Sequence, residues 1–149
     1  MAHLLDTNIL VRLANATDAD HAVAARAVLE LHRRGEVLHL TPQVLVEFRG
    51  VATRPTAKNG LGLSAAKAEM EATGFEAKFP LLPETSDIYP AWKALVTALG
   101  VIGKQVHDAR LVAVCHVHGV THLLTFNVVH FARMAGFAPG VVVVDPVSV

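Results

Sequence analysis

Three carboxylates lie in stretches of sequence that are otherwise apolar. Asp6 interrupts the apolar stretch HLLDTNIL at residues 3–10, and Asp108 stands near the start of HDARLVAVCHVHG at residues 107–119. Glu47 shares the apolar face of a predicted helix with Val44 and Phe48, by the i, i+3, i+4 rule. Burial of an unpaired carboxylate costs several kcal/mol, so each of these positions needs a partner or a function. Alone, Asp108 is also explained as a helix-capping acid and Glu47 as one half of a salt bridge at the core edge.

Small polar residues accompany these acids. Thr7 and Asn8 follow Asp6 directly, while Thr125 and Asn127 follow an aliphatic stretch in LLTFNVVHF at residues 123–131. Asn127 taken alone is explained as an ordinary helix cap. If all these segments meet at one rim of a sheet, their carboxylates require a cation between them. Oxygen-only ligands suit Mg²⁺ or Mn²⁺, so we expect such an ion at this rim.

Strands and helices are predicted to alternate along the chain. Apolar runs predict strands at residues 2–6, 36–41, 121–126 and 140–145. Helical periodicity predicts helices at residues 8–14, 18–34, 42–54, 64–78, 86–99, 107–118 and 128–135, the first capped by Asn8. Residues 79–85 read as a short strand or an extended link. The alternation predicts a parallel sheet with right-handed crossovers, in which ligands bind at the carboxyl ends of strands such as the one before Asp6.

The composition fits one α/β domain over residues 1–149. Hydrophobic residues make up 52% of the chain and aromatic residues only 5%, which favours an aliphatic core and argues against an extensive base-stacking platform. Thirteen basic and thirteen acidic side chains cancel, so net charge gives no attraction to a polyanion. Cys115 is the single cysteine, which excludes an intrachain disulfide and a cysteine-based zinc site and predicts a buried small residue.

Two further classes are disfavoured by the sequence. No apolar run reaches the length of a membrane span and no signal peptide is recognisable, so we expect a soluble cytoplasmic protein. Among the nine histidines, His116 and His118 are two residues apart and so face different sides of their helix. No HExxH pattern occurs, and a histidine-based metal site is therefore disfavoured.

Four segments together resemble the PIN-domain proteins, and in particular the VapC-type toxins of type II toxin–antitoxin pairs. These segments are LLDTNIL, LVEF, HDARLVAVCHVHGVTHLLTFNVVHF and PGVVVVDP, and they follow the order found in that family. The resemblance covers nearly the whole chain. It implies a three-layer α/β/α sandwich with a mainly parallel sheet. It also implies a magnesium- or manganese-dependent ribonuclease whose products carry a 5′-phosphate.

The resemblance assigns roles to individual residues. Asp6, Glu47, Asp108 and Asn127 match the metal-binding and catalytic positions of the family. Thr7, Asn8 and Thr125 match small polar residues beside the site, where they would contact substrate. Arg12, Arg49, Arg54, Lys104 and Arg110 are the basic residues nearest the motifs, and Arg12 is the first choice for a phosphate contact; each is equally explained as a solvated surface charge.

The resemblance also implies partners. They are an RNA substrate and a small antitoxin whose tail occupies the acidic groove and presents an arginine to the carboxylates. The high aliphatic content predicts exposed apolar surface and hence a homodimer.

Two departures from the family pattern stand out. His130 occupies a position where many relatives carry a further acid, which argues against a second tightly held metal. Residues 54–90 are longer than the family core and would form either a clip over the active site or a dimer contact.

Two other functions compete with the nuclease. In a phosphoacceptor or phosphatase, Asp6 would be a nucleophile beside a second acid, with a lysine at a later strand end. Position 8 is instead Asn, and LLTFN contains no lysine. A non-catalytic binding module would keep the fold for contact with a partner, but the retained set of acids argues against such a loss of activity.

Overall fold

The fold is built on a short parallel sheet. A computed structural model describes all residues 1–149. Its four strands are β1 (Ala2–Leu5), β2 (Val37–His39), β3 (His122–Leu124) and β4 (Val142–Val144). They are all parallel and lie in the order β2-β1-β3-β4. The chain therefore moves from β1 to one side and returns to β3 on the other side, which places a topological switch point between β1 and β3.

Seven α-helices flank this sheet. They are α1 (Thr7–Ala14), α2 (His21–Arg33), α3 (Pro42–Thr53), α4 (Ala65–Lys78), α5 (Ile88–Leu99), α6 (Gln105–His118) and α7 (Val128–Ala135). Helix α1 packs on α2 and α3, and α3 packs on α4, while α6 packs on α5 and α7. These groups give the three-layer α/β/α arrangement that the sequence predicts. None of the helices is long and apolar enough to cross a membrane.

The interior is aliphatic, with a few phenylalanines among the leucines and valines. Phe48 on α3 meets Phe75 on α4 edge to face, with ring centroids 5.3 Å apart. Cys115 is fully buried in the same core, as its apolar neighbours in the sequence predict. Only four polar or charged residues are buried, namely His3, Asp6, Thr41 and Thr125. Two of these four, Asp6 and Thr125, lie at the carboxyl ends of neighbouring strands.

The start of α1 corrects one detail of the sequence interpretation. Asp6, and not Asn8, is the N-cap of α1, because its side chain accepts a hydrogen bond from the Thr7 backbone N–H at 2.7 Å. The Asn8 amide instead contacts the end of β3. The segment at residues 79–85 forms no strand; its only sheet-like contact is a single bridge between Leu40 and Leu81.

The segment at residues 54–90 divides into a core part and a border part. Ala68, Ala72 and Phe75 of α4 are buried in the main core. The loop before α4 contributes Arg54 and Asn59 to the wall of the acidic cavity described below. This segment therefore both packs against α3 and borders that cavity.

Helix α3 depends on a buried cap, and this dependence can be tested. The fully buried Thr41 hydroxyl accepts a hydrogen bond from the Val44 N–H at 3.1 Å. Thr41→Val keeps the shape but leaves that N–H without a partner, so we expect the free energy of unfolding to fall by about 1–2 kcal/mol.

The matched control is Thr53→Val, the same substitution at an exposed position of the same helix. We expect it to change the free energy of unfolding by less than about 0.5 kcal/mol. Urea denaturation followed by circular dichroism measures both variants. Equal losses in the two variants would show that the Thr41 cap is unimportant.

Candidate active site

The Asp6 carboxylate is buried at the carboxyl end of β1 and accepts hydrogen bonds on both oxygens. Only 5% of the residue is exposed. Its Oδ1 accepts from the Thr7 N–H at 2.7 Å, and its Oδ2 accepts from the Thr125 hydroxyl at 2.7 Å and the Asn8 amide at 3.1 Å. These donors fix the orientation of the carboxylate, which is what a residue that binds a ligand at a set position requires.

The same hydrogen bonds join β1 to β3. The Asp6 backbone N–H donates to the Leu124 carbonyl at 3.0 Å. The Asn8 side chain donates to the Thr125 hydroxyl at 3.0 Å and accepts from the Phe126 N–H at 3.2 Å. Residues from both strand ends are therefore held together at the switch point, where ligands bind in open α/β sheets.

Glu47 is held at the wall of the same site by two donors. The Thr7 hydroxyl donates to its Oε2 at 2.6 Å, and the Gln43 amide donates to its Oε1 at 2.9 Å. Gln43 was not singled out by the sequence analysis. Its i, i+4 spacing from Glu47 places both side chains on one helix face, and this spacing was the available signal.

Gln43 also connects the site to α6. Its amide nitrogen donates to the His107 carbonyl at 2.9 Å, and its oxygen accepts from the Arg110 guanidinium at 3.2 Å. Arg110 in turn forms two hydrogen bonds with Glu84, at 3.1 and 2.6 Å. These hydrogen bonds fix the position of the Glu47 carboxylate on α3 relative to the first turn of α6.

Asp108 and Asn127 complete the set of acidic and amide groups. Asp108 lies in the first turn of α6 with 30% of its side chain exposed, and its Oδ2 is 3.9 Å from His130 Nδ1. Asn127 occupies the N-cap position of α7, but its side chain makes no capping hydrogen bond. The amide is therefore not used by the helix that it precedes.

One open cavity brings these side chains together. Its volume is about 290 Å³. Its polar lining includes Asp6, Thr7, Asn8, Arg12, Glu47, Arg54, Asn59, Asp108 and Asn127. Seven of the eight site residues predicted from the sequence thus face one space. The eighth, Thr125, is fully buried beneath the cavity and orients Asp6 instead of lining the wall.

The crowding of acids affects their protonation. The pKa of Asp6 is raised from 3.8 to about 6, chiefly by burial. The hydrogen bonds from Thr125 and Thr7 oppose this rise, and the nearby charges of Asp108 and Glu47 add to it. Burial also raises the pKa of Asp108, with a contribution from Glu47 that is opposed by His130 and His107. The folded protein therefore holds negative charge here at a cost, which a bound cation would offset.

The donor set fits a hard divalent cation that keeps water in its shell. All the ligand candidates offer oxygen, as Mg²⁺ and Mn²⁺ prefer. The structure contains no group of three or more His, Cys, Asp and Glu side chains arranged to hold a metal ion. The spacing of these carboxylates therefore leaves room for water between an ion and some of them.

The basic residues near the motifs differ in their availability. The Arg12 guanidinium lies 3.4 Å from Asp18 and 5.6 Å from the Phe126 ring centroid. Arg49 is paired with Glu69 away from the cavity. Arg54 is exposed and lines the cavity, so Arg12 and Arg54 are the two cations beside the acids.

The sequence matches the PIN domain family over residues 3–136. The chain therefore belongs to the PIN-domain family, as its acidic motifs predict. No curated protein sequence matches the chain at a significant level.

Solved structures share the fold at low sequence identity. A chain of VapBC2 from Rickettsia felis, bound to a promoter DNA fragment, is 19% identical with a TM-score of 0.70, covering 97% of this chain and 98% of that one. VapBC-1 from nontypeable Haemophilus influenzae gives 18% identity and a TM-score of 0.69, covering 98% of both chains. VapC20 from Mycobacterium tuberculosis, described as a sarcin–ricin loop cleaving toxin, is 24% identical with a TM-score of 0.65. This match covers 91% of this chain and 96% of that one.

The raised pKa of Asp6 predicts how stability varies with pH in the absence of metal. Between the unfolded value of 3.8 and the folded value of about 6, the folded protein binds more protons than the unfolded chain. The Asp6 contribution to stability is therefore present below pH 4 and lost as the pH rises through 6. Relative to Asp6→Asn, we expect the wild type to lose up to about 3 kcal/mol across this window.

Urea denaturation in EDTA at a series of pH values measures this difference. Asp87→Asn, at an exposed position on α5's N-terminal side, is the control and should differ from wild type by a constant amount. A difference between wild type and Asp6→Asn that does not change between pH 4 and 7 would contradict the assignment of the raised pKa to Asp6.

Proposed function

We propose that the protein is a metal-dependent endoribonuclease that hydrolyses RNA phosphodiesters. The convergence of Asp6, Glu47, Asp108 and Asn127 on one cavity at the sheet's switch point is the observation that carries this proposal. Membership of the PIN-domain family supports it. These residues come from four separate parts of the chain. A structural role for any single one of them does not explain why all four line the same cavity.

Mg²⁺ or Mn²⁺ is the proposed cofactor. Asp6 and Asp108 would bind it directly, and Glu47 and Asn127 would bind directly or through water. The chemistry that such an ion supplies when bound is activation of water and neutralisation of charge on phosphate. Because His130 stands 3.9 Å from Asp108 where a further acid would favour a second ion, we propose a single tightly held ion.

The chain's own residues orient the reaction. Glu47, fixed by Thr7 and Gln43, would accept a hydrogen bond from the attacking water and take up its proton. The water oxygen bonds to phosphorus, and the bond from phosphorus to the 3′ oxygen of the preceding nucleotide breaks. The 3′ oxygen leaves with the bonding electron pair and takes a proton from solvent water. The products are then a 5′-phosphate and a 3′-hydroxyl.

Substrate contacts would come from the cavity wall. Arg12 and Arg54 line the cavity, where they would bind phosphate groups, and the Thr7 and Asn8 side chains line the same cavity. Contacts to phosphate position a strand but do not read its sequence. The Thr125 hydroxyl acts indirectly, through Asp6.

A phosphoacceptor role for Asp6 receives less support from this geometry. The group beside Asp6 is the Asn8 amide and not a second acid, and LLTFN at residues 123–127 contains no lysine. The shared position of Glu47 and Asp108 is instead typical of ligands around a cation.

We further propose that the protein is the toxin of a toxin–antitoxin pair. The likeness to chains from VapBC structures supports this proposal. Its partner would be a small antitoxin whose tail enters the acidic cavity and presents an arginine to the carboxylates. We also propose a homodimer, consistent with exposed apolar side chains such as Leu29 and Met70.

The whole chain, residues 1–149, is proposed to act as one domain. The family match ends at residue 136, but the remaining segment is integrated with the rest. Strand β4 pairs with β3, and the Thr125 N–H donates to the Val144 carbonyl at 3.1 Å. The tail therefore supports the strand end that carries Thr125.

Removal of a site charge should abolish cleavage without unfolding the protein. We expect Asp108→Asn and Glu47→Gln to lower the cleavage rate at least about 100-fold, because both substitutions keep shape and remove charge. Glu76→Gln on the exposed face of α4 is the matched control and should cleave like wild type. Cleavage of total cellular RNA is followed with end mapping, and wild-type rates in both site variants would disprove the proposed mechanism.

Metal dependence gives an independent test. EDTA should abolish cleavage, and excess Mg²⁺ or Mn²⁺ should restore it. Because an ion that binds only the folded state stabilises it, Mn²⁺ should also raise the melting temperature of wild type and not of Asp6→Asn. Full activity in EDTA, or an equal rise in both proteins, would contradict a site formed around Asp6.

A further inference from the structure

A second cavity contains the only tyrosine and the only tryptophan of the chain. Tyr89 and Trp92 lie one turn apart on α5, and their ring centroids are 5.7 Å apart with a tilt of 31°. The cavity has a volume of about 370 Å³, and Val106, His107 and Arg110 complete its wall. The single tyrosine and the single tryptophan of the chain, whose rings carry a hydroxyl and an N–H, thus lie side by side in the fold.

The two rings differ in their freedom. The Trp92 indole N–H donates to the Val106 carbonyl at 2.7 Å, which fixes the ring against the start of α6. Tyr89 is 64% exposed. An exposed ring beside a fixed ring offers an aromatic surface at which a flat ligand can stack.

This cavity continues toward the acidic site. An intervening cavity of about 500 Å³ shares His107 and Arg110 with the aromatic cavity and Glu47 with the acidic one. Its wall also contains Glu84, which is hydrogen-bonded to Arg110. His107 is also the chain neighbour of Asp108. An unbroken surface therefore leads from flat aromatic rings, past a guanidinium, to the carboxylates.

We propose that the cavity of Tyr89 and Trp92 binds one unstacked nucleobase of a single-stranded RNA segment. The strand continues past His107 and Arg110 into the acidic cavity. An alternation of flat bases and charged phosphates matches an aromatic pocket that is joined, past the Arg110 guanidinium, to a cavity that would hold a cation. Aromatic stacking and contact with an arginine plane are the means by which proteins bind bases splayed from single-stranded RNA. The inference rests on the proposed nuclease function for its substrate class.

Trp92 provides its own reporter, because it is the single tryptophan. The full-length protein is titrated in EDTA with a short single-stranded RNA of mixed sequence and with a strand of equal length whose residues are abasic. We expect the RNA to quench the tryptophan fluorescence and the abasic strand to leave it unchanged. Tyr89→Ala should weaken RNA binding about tenfold, as loss of one stacking contact does.

Two variants separate stacking from structural damage. Tyr89→Phe keeps the ring and should bind RNA within about twofold of wild type, since stacking uses the ring face. Val147→Ala, at an exposed apolar position to which no role is assigned, should bind like wild type. Wild-type affinity in Tyr89→Ala, or equal quenching by the abasic strand, would overturn the proposal. So would sedimentation that shows a dimer in wild type and a monomer in Tyr89→Ala, since the surface would then be a contact between copies.

The binding readout does not depend on cleavage. If RNA binds as expected but is not cut when Mg²⁺ is added, the nucleobase site stands and the proposed nuclease fails. If RNA is cut and Tyr89→Ala shows wild-type binding and an unchanged KM, the nuclease stands and the nucleobase site fails.

Discussion

The site depends on one buried carboxylate that joins two strands. Asp6 caps α1 through the Thr7 N–H and accepts the hydroxyl hydrogen of Thr125 from the end of β3. A group with 5% exposure is costly to ionise, and its pKa near 6 reflects that cost. These hydrogen bonds fix the orientation of the Asp6 carboxylate. Its position between the ends of β1 and β3 places it in the crevice at the topological switch point. Thr7, Asn8 and Thr125 are each hydrogen-bonded to it directly.

Side-chain hydrogen bonds extend this arrangement to helices α3 and α6. Thr7 connects Asp6's neighbourhood to Glu47, and Gln43 connects Glu47 to the carbonyl of His107 at the beginning of α6. Asp108 follows in the same turn. The acids are thus arranged through hydrogen bonds between elements that are distant in sequence, and the packing of α1 on α3 brings the first two of them together.

Much of this arrangement could be predicted from the sequence, because it follows from local patterns. Asp6 is detectable since an apolar strand stops there, and the parallel sheet follows from the alternation of strands and helices. The i, i+4 spacing of Gln43 and Glu47 indicates that they share a helix face, but the contact of Gln43 with the His107 carbonyl depends on the tertiary position of a backbone group, which no sequence pattern reveals. The Asn8 cap was wrong because two adjacent residues both suited the cap, and only the tertiary contact with Thr125 decides between them. The connection between the Tyr89 cavity and the acidic cavity could not be predicted either. The composition gives the number of aromatic residues but not their positions in the fold.

The carboxamide of Gln43 has a geometric consequence for recognition. Its nitrogen serves both Glu47 and the first turn of α6, while its oxygen receives Arg110, so three groups along the surface share one small planar unit. The distance between the acidic cavity and the cavity of Tyr89 and Trp92 is then fixed by the folded protein. An RNA strand that binds as proposed must match that interval in its own internucleotide spacing, so the length of the strand would decide binding together with its contacts.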